Sequence, residues 1–148
     1  MANVALFPHK PSEETLAFIR SLSGEWKAYQ YLFHVEQLKD LETGIIELVD
    51  DLNRKLDLER ASRILIGLPG LAAAGPLLVE AISACNGRPP ELLIMVRGAG
   101  GSYIPCPEKP IIELCKTRGA ARKKRSEGFI DLGGSAWDEP LSTAFWSP

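Results

Sequence analysis

Apolar positions along this chain fall into short blocks separated by polar, proline- and glycine-bearing gaps. Asn3–Phe7 (NVALF) is a mostly apolar run that predicts a buried strand, and the loop Pro8-His9-Lys10-Pro11 ends it. Ser12 then supplies an N-cap hydroxyl, and Glu13 and Glu14 place acid in the first turn of a helix. Leu16, Phe18 and Ile19 give that helix an apolar side, and Gly24 stops it. Lys27–Glu36 alternates with period two: Tyr29, Tyr31, Phe33 and Val35 share one face of a predicted strand, and Ala28, Gln30, Leu32 and His34 share the other. Thr43–Leu56 returns to helical spacing through Ile45, Val49, Leu52 and Leu56, with acidic residues early and Arg54 and Lys55 late.

The second half repeats the alternation. Arg63–Gly67 (RILIG) reads as a strand, Leu71–Cys85 as an alanine-rich helix ended by Asn86-Gly87, and Glu91–Arg97 (ELLIMVR) as a further strand. Strand–helix alternation of this kind predicts an α/β fold, a mostly parallel sheet with helices on its faces. Runs as apolar as ILI and LLIMV fit strands covered on both sides. Beyond Ser102 the prolines at 105, 107 and 110 interrupt the pattern. Pro110–Leu114 is expected as an edge strand, where proline is tolerated, and the basic stretch Lys116–Arg125 as a helix.

Composition narrows the class. At 148 residues and 16.2 kDa, with 45% hydrophobic and 24% charged residues, the chain is expected to form one globular domain. No apolar run approaches the ~18 residues of a membrane span, and the opening Met1-Ala2-Asn3-Val4 lacks the pattern of a signal peptide. Cys85, Cys106 and Cys115 form neither a CxxC pair nor an even set, so reduced thiols in a cytoplasmic protein are expected rather than disulfides or a zinc cage. The net charge of −2 argues against a protein that coats long nucleic acid. That charge is uneven. Residues 126–148 hold four acidic and no basic side chains, together with Phe129, Trp137, Phe145 and Trp146. Residues 1–125 hold 17 basic and 15 acidic ones. The expected division is a domain over 1–125 and an acidic, aromatic tail over 126–148.

In a doubly wound sheet, ligands sit beyond the carboxyl ends of the strands. Three loops are candidates, Pro8–Pro11, Gly67–Leu71 and Arg97–Ser102, and within them the residues expected to bind are Pro8, His9 and Lys10; Gly67, Leu68, Pro69, Gly70 and Leu71; and Arg97, Gly98, Ala99 and Gly100. Lys10 and Arg97 offer cations, and glycines let a backbone approach a ligand, although ordinary turn chemistry explains them equally well. The second loop leads into a helix N-terminus able to receive a phosphate. Neither glycine loop is a GxGxxG or GxxxxGK[ST] motif. No carboxylate ends a strand beside these loops, there is no GxSxG elbow, and Ser102 has no evident base, so no catalytic residue, metal or cofactor is assigned. The basic cluster Arg118, Arg122, Lys123, Lys124 and Arg125 reads either as a solvated helix end or as a docking surface for phosphates or an acidic partner, the tail included.

RILIGLPGLAAAGPLLVEAISACNGRPPELLIMVR over 63–97, followed by a glycine- and proline-rich stretch and GAARKKR at 119–125, resembles the small stand-alone CARF-like proteins of type III CRISPR systems (CARF: CRISPR-associated Rossmann fold). Within them it is most similar to the ancillary kind that acts as a sponge for cyclic tetra-adenylate. The order of elements agrees over roughly 3–125; the Thr43–Leu56 helix and the tail are departures. The resemblance implies a Rossmann-like domain, homodimeric or larger, that binds this cyclic oligoadenylate second messenger and damps downstream effectors. Lys10 and Arg97 would pair with phosphate, the glycines would offer amides, and His9 would hydrogen-bond ribose or phosphate. A metal-independent ring nuclease acting on the same messenger is the enzymatic alternative, and an assembly protein using the basic segment and acidic tail is the third.

Overall fold

The computed structural model describes residues 2–32 and 40–132, with the side chains of 128–132 left aside. The chain divides into two compact units, Met1–Leu114 and Cys115–Pro148. The first is an α/β, Rossmann-like unit built on a five-stranded sheet. Its elements are β1 (Asn3–Phe7), α1 (Glu13–Ser21), β2 (Trp26–Gln30), α2 (Leu41–Leu56), a 3₁₀ turn (Leu58–Arg60), β3 (Ile64–Ile66), α3 (Ala74–Asn86), β4 (Glu91–Leu93), β5 (Met95–Arg97), β6 (Tyr103–Pro105) and β7 (Ile111–Glu113). The sheet runs in the order β2-β1-β3-β4-β7; β7 alone is antiparallel. Strands β5 and β6 form a separate antiparallel hairpin. The second unit contributes α4, from Leu114 at the join through Arg125 to Leu132 without a break.

Alternation along the central strands sorts the core into two layers. Val4, Leu6, Ile64 and Ile66 point to one face and pack with Ile45, Leu52 and Val49 of α2 and Leu78 and Ile82 of α3. Ala5, Phe7 and Leu65 point to the other and pack with Ile19 of α1. Both faces are covered, which explains why these strands are apolar throughout. A bidentate ion pair closes the amino-terminal edge: Arg63 donates to Glu91 through Nε (2.8 Å) and Nη2 (2.7 Å), and its guanidinium lies 5.1 Å from the centre of the Trp26 ring. The pair ties β2, β3 and β4 across their starts.

Two local differences from the sequence expectation have physical causes. Helix α3 begins at Ala74 rather than Leu71, because Pro76 lacks an N–H and fits only the first turn. The segment before it forms a turn closed by Ala74 N–H on the Leu71 carbonyl, at 3.0 Å. Glu91–Arg97 is not one strand. β3 ends at Ile66, so past Leu93 the chain has no parallel neighbour, and from Met95 it pairs with β6 instead. The second strand spans Trp26–Gln30 within the described residues; Phe33, His34 and Val35 lie outside them, as do the tail tryptophans.

Gly24 joins α1 to β2 at φ +91°, and a Cβ there would sit 2.6 Å from Nδ2 of the buried Asn3. Gly24→Ala is therefore expected to cost at least the roughly 1–2 kcal/mol of a left-handed non-glycine residue, with displacement of Asn3 added. A shift of the denaturant midpoint checks it; an unchanged midpoint would refute the close approach.

Candidate functional site

The order β2-β1-β3 reverses direction at β1, since the chain leaves β1 through α1 on one face and returns from β2 through α2 on the other. The carboxyl ends of β1 and β3 therefore flank a topological switch point, the place where open α/β sheets hold ligands. A cleft of about 560 Å³ opens there. One wall is the end of β1 and its loop: Phe7, Pro8, His9, Lys10 and Pro11. Ser12 and Glu13, at the start of α1, continue it. Gly67 forms its floor beside β1, and Met95, Ser102 and Tyr103 of the β5–β6 hairpin form the opposite wall.

Each wall has a local cause. Ser12 caps α1: its Oγ accepts from Thr15 N–H at 3.2 Å. The Ser12 hydroxyl also donates to the Tyr103 carbonyl (3.2 Å), as does the buried Thr15 hydroxyl (3.5 Å), so the same cap anchors the hairpin to α1. The hairpin turn is held by Gly98 N–H on the Ser102 carbonyl (2.8 Å) and by Gly101 at φ +80°. Gly67 N–H donates to the Leu6 carbonyl (2.8 Å), and a Cβ on Gly67 would press on Cδ of Pro8 at 3.2 Å. A glycine at 67 thus lets the β1 loop and the end of β3 lie against each other.

Of the residues expected at the site, Pro8, His9, Lys10 and Gly67 line this cleft. Arg97, Gly98, Ala99 and Gly100 do not line it. They belong to the hairpin end, and Arg97 instead lies over the Tyr103 ring at 5.7 Å, beside a residue that does. Leu68, Pro69, Gly70 and Leu71 also lie outside the lining; Leu68 folds back to within 3.8 Å of the Cβ position of Gly75 in α3. The α3 N-terminus expected to meet a phosphate starts at Ala74 and has no side-chain cap. The candidate loops did not include Phe7, Ser12, Glu13, Met95 and Tyr103, which also line the cleft. Ser12 carried a signal, its cap position next to the loop, whereas Met95 and Tyr103 reach the cleft only because the hairpin folds across it.

Tyr31 buttresses the site from beneath. Its N–H donates to the Phe7 carbonyl (2.9 Å) and its hydroxyl to the Gly67 carbonyl (2.7 Å), joining the carboxyl ends of β1 and β3. Burial pushes this phenol above its ordinary value of 10.0. The folded state keeps the proton while the unfolded chain releases it near pH 10, so stability is full below that pH and falls as pH rises above it. Burial pushes Cys85 up as well, with the same sign from its own ordinary value of 9.0. Comparison with Tyr31→Phe isolates the tyrosine: its denaturant midpoint is expected to fall less steeply than wild type above about pH 10. Parallel profiles would refute the assignment.

Among the described residues, no group of three His, Cys, Asp or Glu side chains converges on a metal-sized site. No described helix is long and apolar enough to cross a membrane. No family model, curated protein or solved structure matches the chain.

Proposed function

We propose that this protein binds cyclic tetra-adenylate and sequesters it, lowering the free messenger in type III CRISPR antiviral signalling. The observation that carries this reading is the cleft at the switch point, with the Pro8-His9-Lys10 loop on one wall and the tyrosine- and arginine-bearing hairpin on the other. Apolar surface from Phe7, Pro8, Met95 and Tyr103 suits a nucleobase, and Lys10 suits a phosphate. Arg97, held over Tyr103, brings a second cation beside the lining. A cleft of about 560 Å³ is of the size that holds one small molecule, so a ring of four nucleotides spans more than one copy. The reading therefore takes the protein as a homodimer or larger assembly in which two clefts share one ring.

Calorimetric titration with rings of three, four and six adenylates tests this, with heat expected for the four-membered ring. No heat from any ring would overturn the assignment. His9 in the lining supports the second reading, a ring nuclease working without metal by proton transfer and electrostatic help. Chromatography of the nucleotide after incubation separates the two. Intact ring is expected for a sponge, and linear product with turnover for a nuclease.

A further inference from the structure

Strand β5 turns Met95 and Arg97 to one face of the hairpin, and the pairing of Arg97 with Tyr103 puts the Tyr103 ring on that face too. Val96 and Ile104 take the other face. The first face is the one that meets the cleft, since Met95 and Tyr103 line it. Tyr103 is 51% exposed, and among the described residues it is the one Phe, Trp or Tyr in the exposed class. Its backbone is fixed all the same. The Tyr103 carbonyl accepts from the Ser12 hydroxyl (3.2 Å) and from the Thr15 hydroxyl (3.5 Å), both at the start of α1. An aromatic ring left in water on a pinned backbone, at the wall of a cleft, is preorganised to stack on a ligand.

Arg97 occupies one face of that ring, its guanidinium 5.7 Å from the centroid. It forms no ion pair with a carboxylate among the described residues. A guanidinium lying on an aromatic face holds the ring by cation–π attraction. The other face stays open. A cationic ligand there would meet Arg97 through the ring and Lys10 from the facing wall, against the single carboxylate of Glu13 in the lining. A neutral flat ring meets no such repulsion, and stacking on an aromatic side chain is how a nucleobase is held without base pairing. We infer that Tyr103 is the stacking platform for an adenine base, and that Arg97 is a positioning residue behind it rather than a phosphate ligand. The adenine rests on the reading proposed above; the platform and the role of Arg97 are added to it.

Proton NMR titration of the full chain with adenosine and with adenosine 5′-monophosphate tests this. Ring current from a stacked tyrosine should move the adenine H2 and H8 signals upfield. Tyr103→Leu should weaken both ligands by roughly 5- to 150-fold, the range for one stacked base. Tyr103→Phe should keep both the binding and the shift, which assigns the effect to the ring. Arg97→Gln should weaken both ligands by the same factor, about 2- to 5-fold, because a positioning residue acts on the base with or without a phosphate. Lys10→Ala, by contrast, should weaken the monophosphate alone. A loss confined to the monophosphate in Arg97→Gln would overturn the positioning role. Equal binding by Tyr103→Leu, or no upfield shift with wild type, would overturn the platform, and heat from the tetra-adenylate ring would then leave sequestration standing. Adenosine stacked on Tyr103 in a protein that gives no heat with the ring would remove the sequestration reading and leave the platform.

Discussion

Leu6→Ala is expected to lower stability by about 2–5 kcal/mol, the range for emptying a well-packed aliphatic site. Leu6 is wholly buried in β1, which has partners on both sides: Leu6 pairs with Tyr29 of β2 and with Ile66 of β3. Its side chain belongs to the layer between the sheet and helices α2 and α3, so a cavity there opens against several elements that cannot all move in to fill it. Domains of this kind hold only about 5–15 kcal/mol in total, so the loss is a large share. Equilibrium denaturation measures it. The backbone of the same residue accepts the Gly67 N–H, so a relaxed β1 should also weaken ligand binding at the cleft. A loss under about 1 kcal/mol would mean that the site collapses freely, against the packing described.

If the protein binds the tetra-adenylate ring as proposed, Lys10→Ala is expected to weaken that binding by about 10²–10⁴-fold, while leaving the unfolding midpoint unchanged. Lys10 lines the cleft and is exposed, so its removal leaves the core untouched. One charge-assisted hydrogen bond contributes about 1.5–3 kcal/mol, and a ring shared by two copies loses two of them. Each 1.4 kcal/mol is tenfold in affinity, which gives the stated range. Lys10→Arg should retain most of the binding because it keeps the cation. The measurement is calorimetric titration of the three proteins with the ring. Wild-type affinity in Lys10→Ala would remove this residue from the phosphate contact.

Much of the fold was legible along the chain. β1 and β3 were visible because strands covered on both faces must be apolar throughout, and Asn3–Phe7 and Arg63–Gly67 are nearly so. Helix α2 was visible from its spacing, and Ser12 and Gly87 marked boundaries by chemistry that is local to one turn, whereas α1 ends at Ser21 with Leu22 as its cap and Gly24 follows in the link to β2. The start of α3 is also written in the sequence, at Pro76, whose ring fits only the first turn, although the apolar run before it has helical composition. The break at Ile94 was not legible. The run ELLIMVR is equally apolar on both sides of that residue, and what changes there is the neighbouring strand.

The site divides in the same way. The sequence by itself determined the α/β class, the loop Pro8–Pro11 at the end of β1, the glycine at 67 and the concentration of cations over 116–125, because each depends on residues adjacent in the chain. Only the tertiary structure decided that the hairpin folds across the cleft, that Tyr103 and Met95 face Lys10's loop, and that Arg97 stands over Tyr103. It also decided that Tyr31 holds Gly67 in place. Those contacts join residues that are 36 to 91 positions apart where hydrogen bonds make them, and no local pattern encodes such a pairing. It follows from the strand order, which brings the ends of β1 and β3 side by side and leaves β5 without a parallel neighbour.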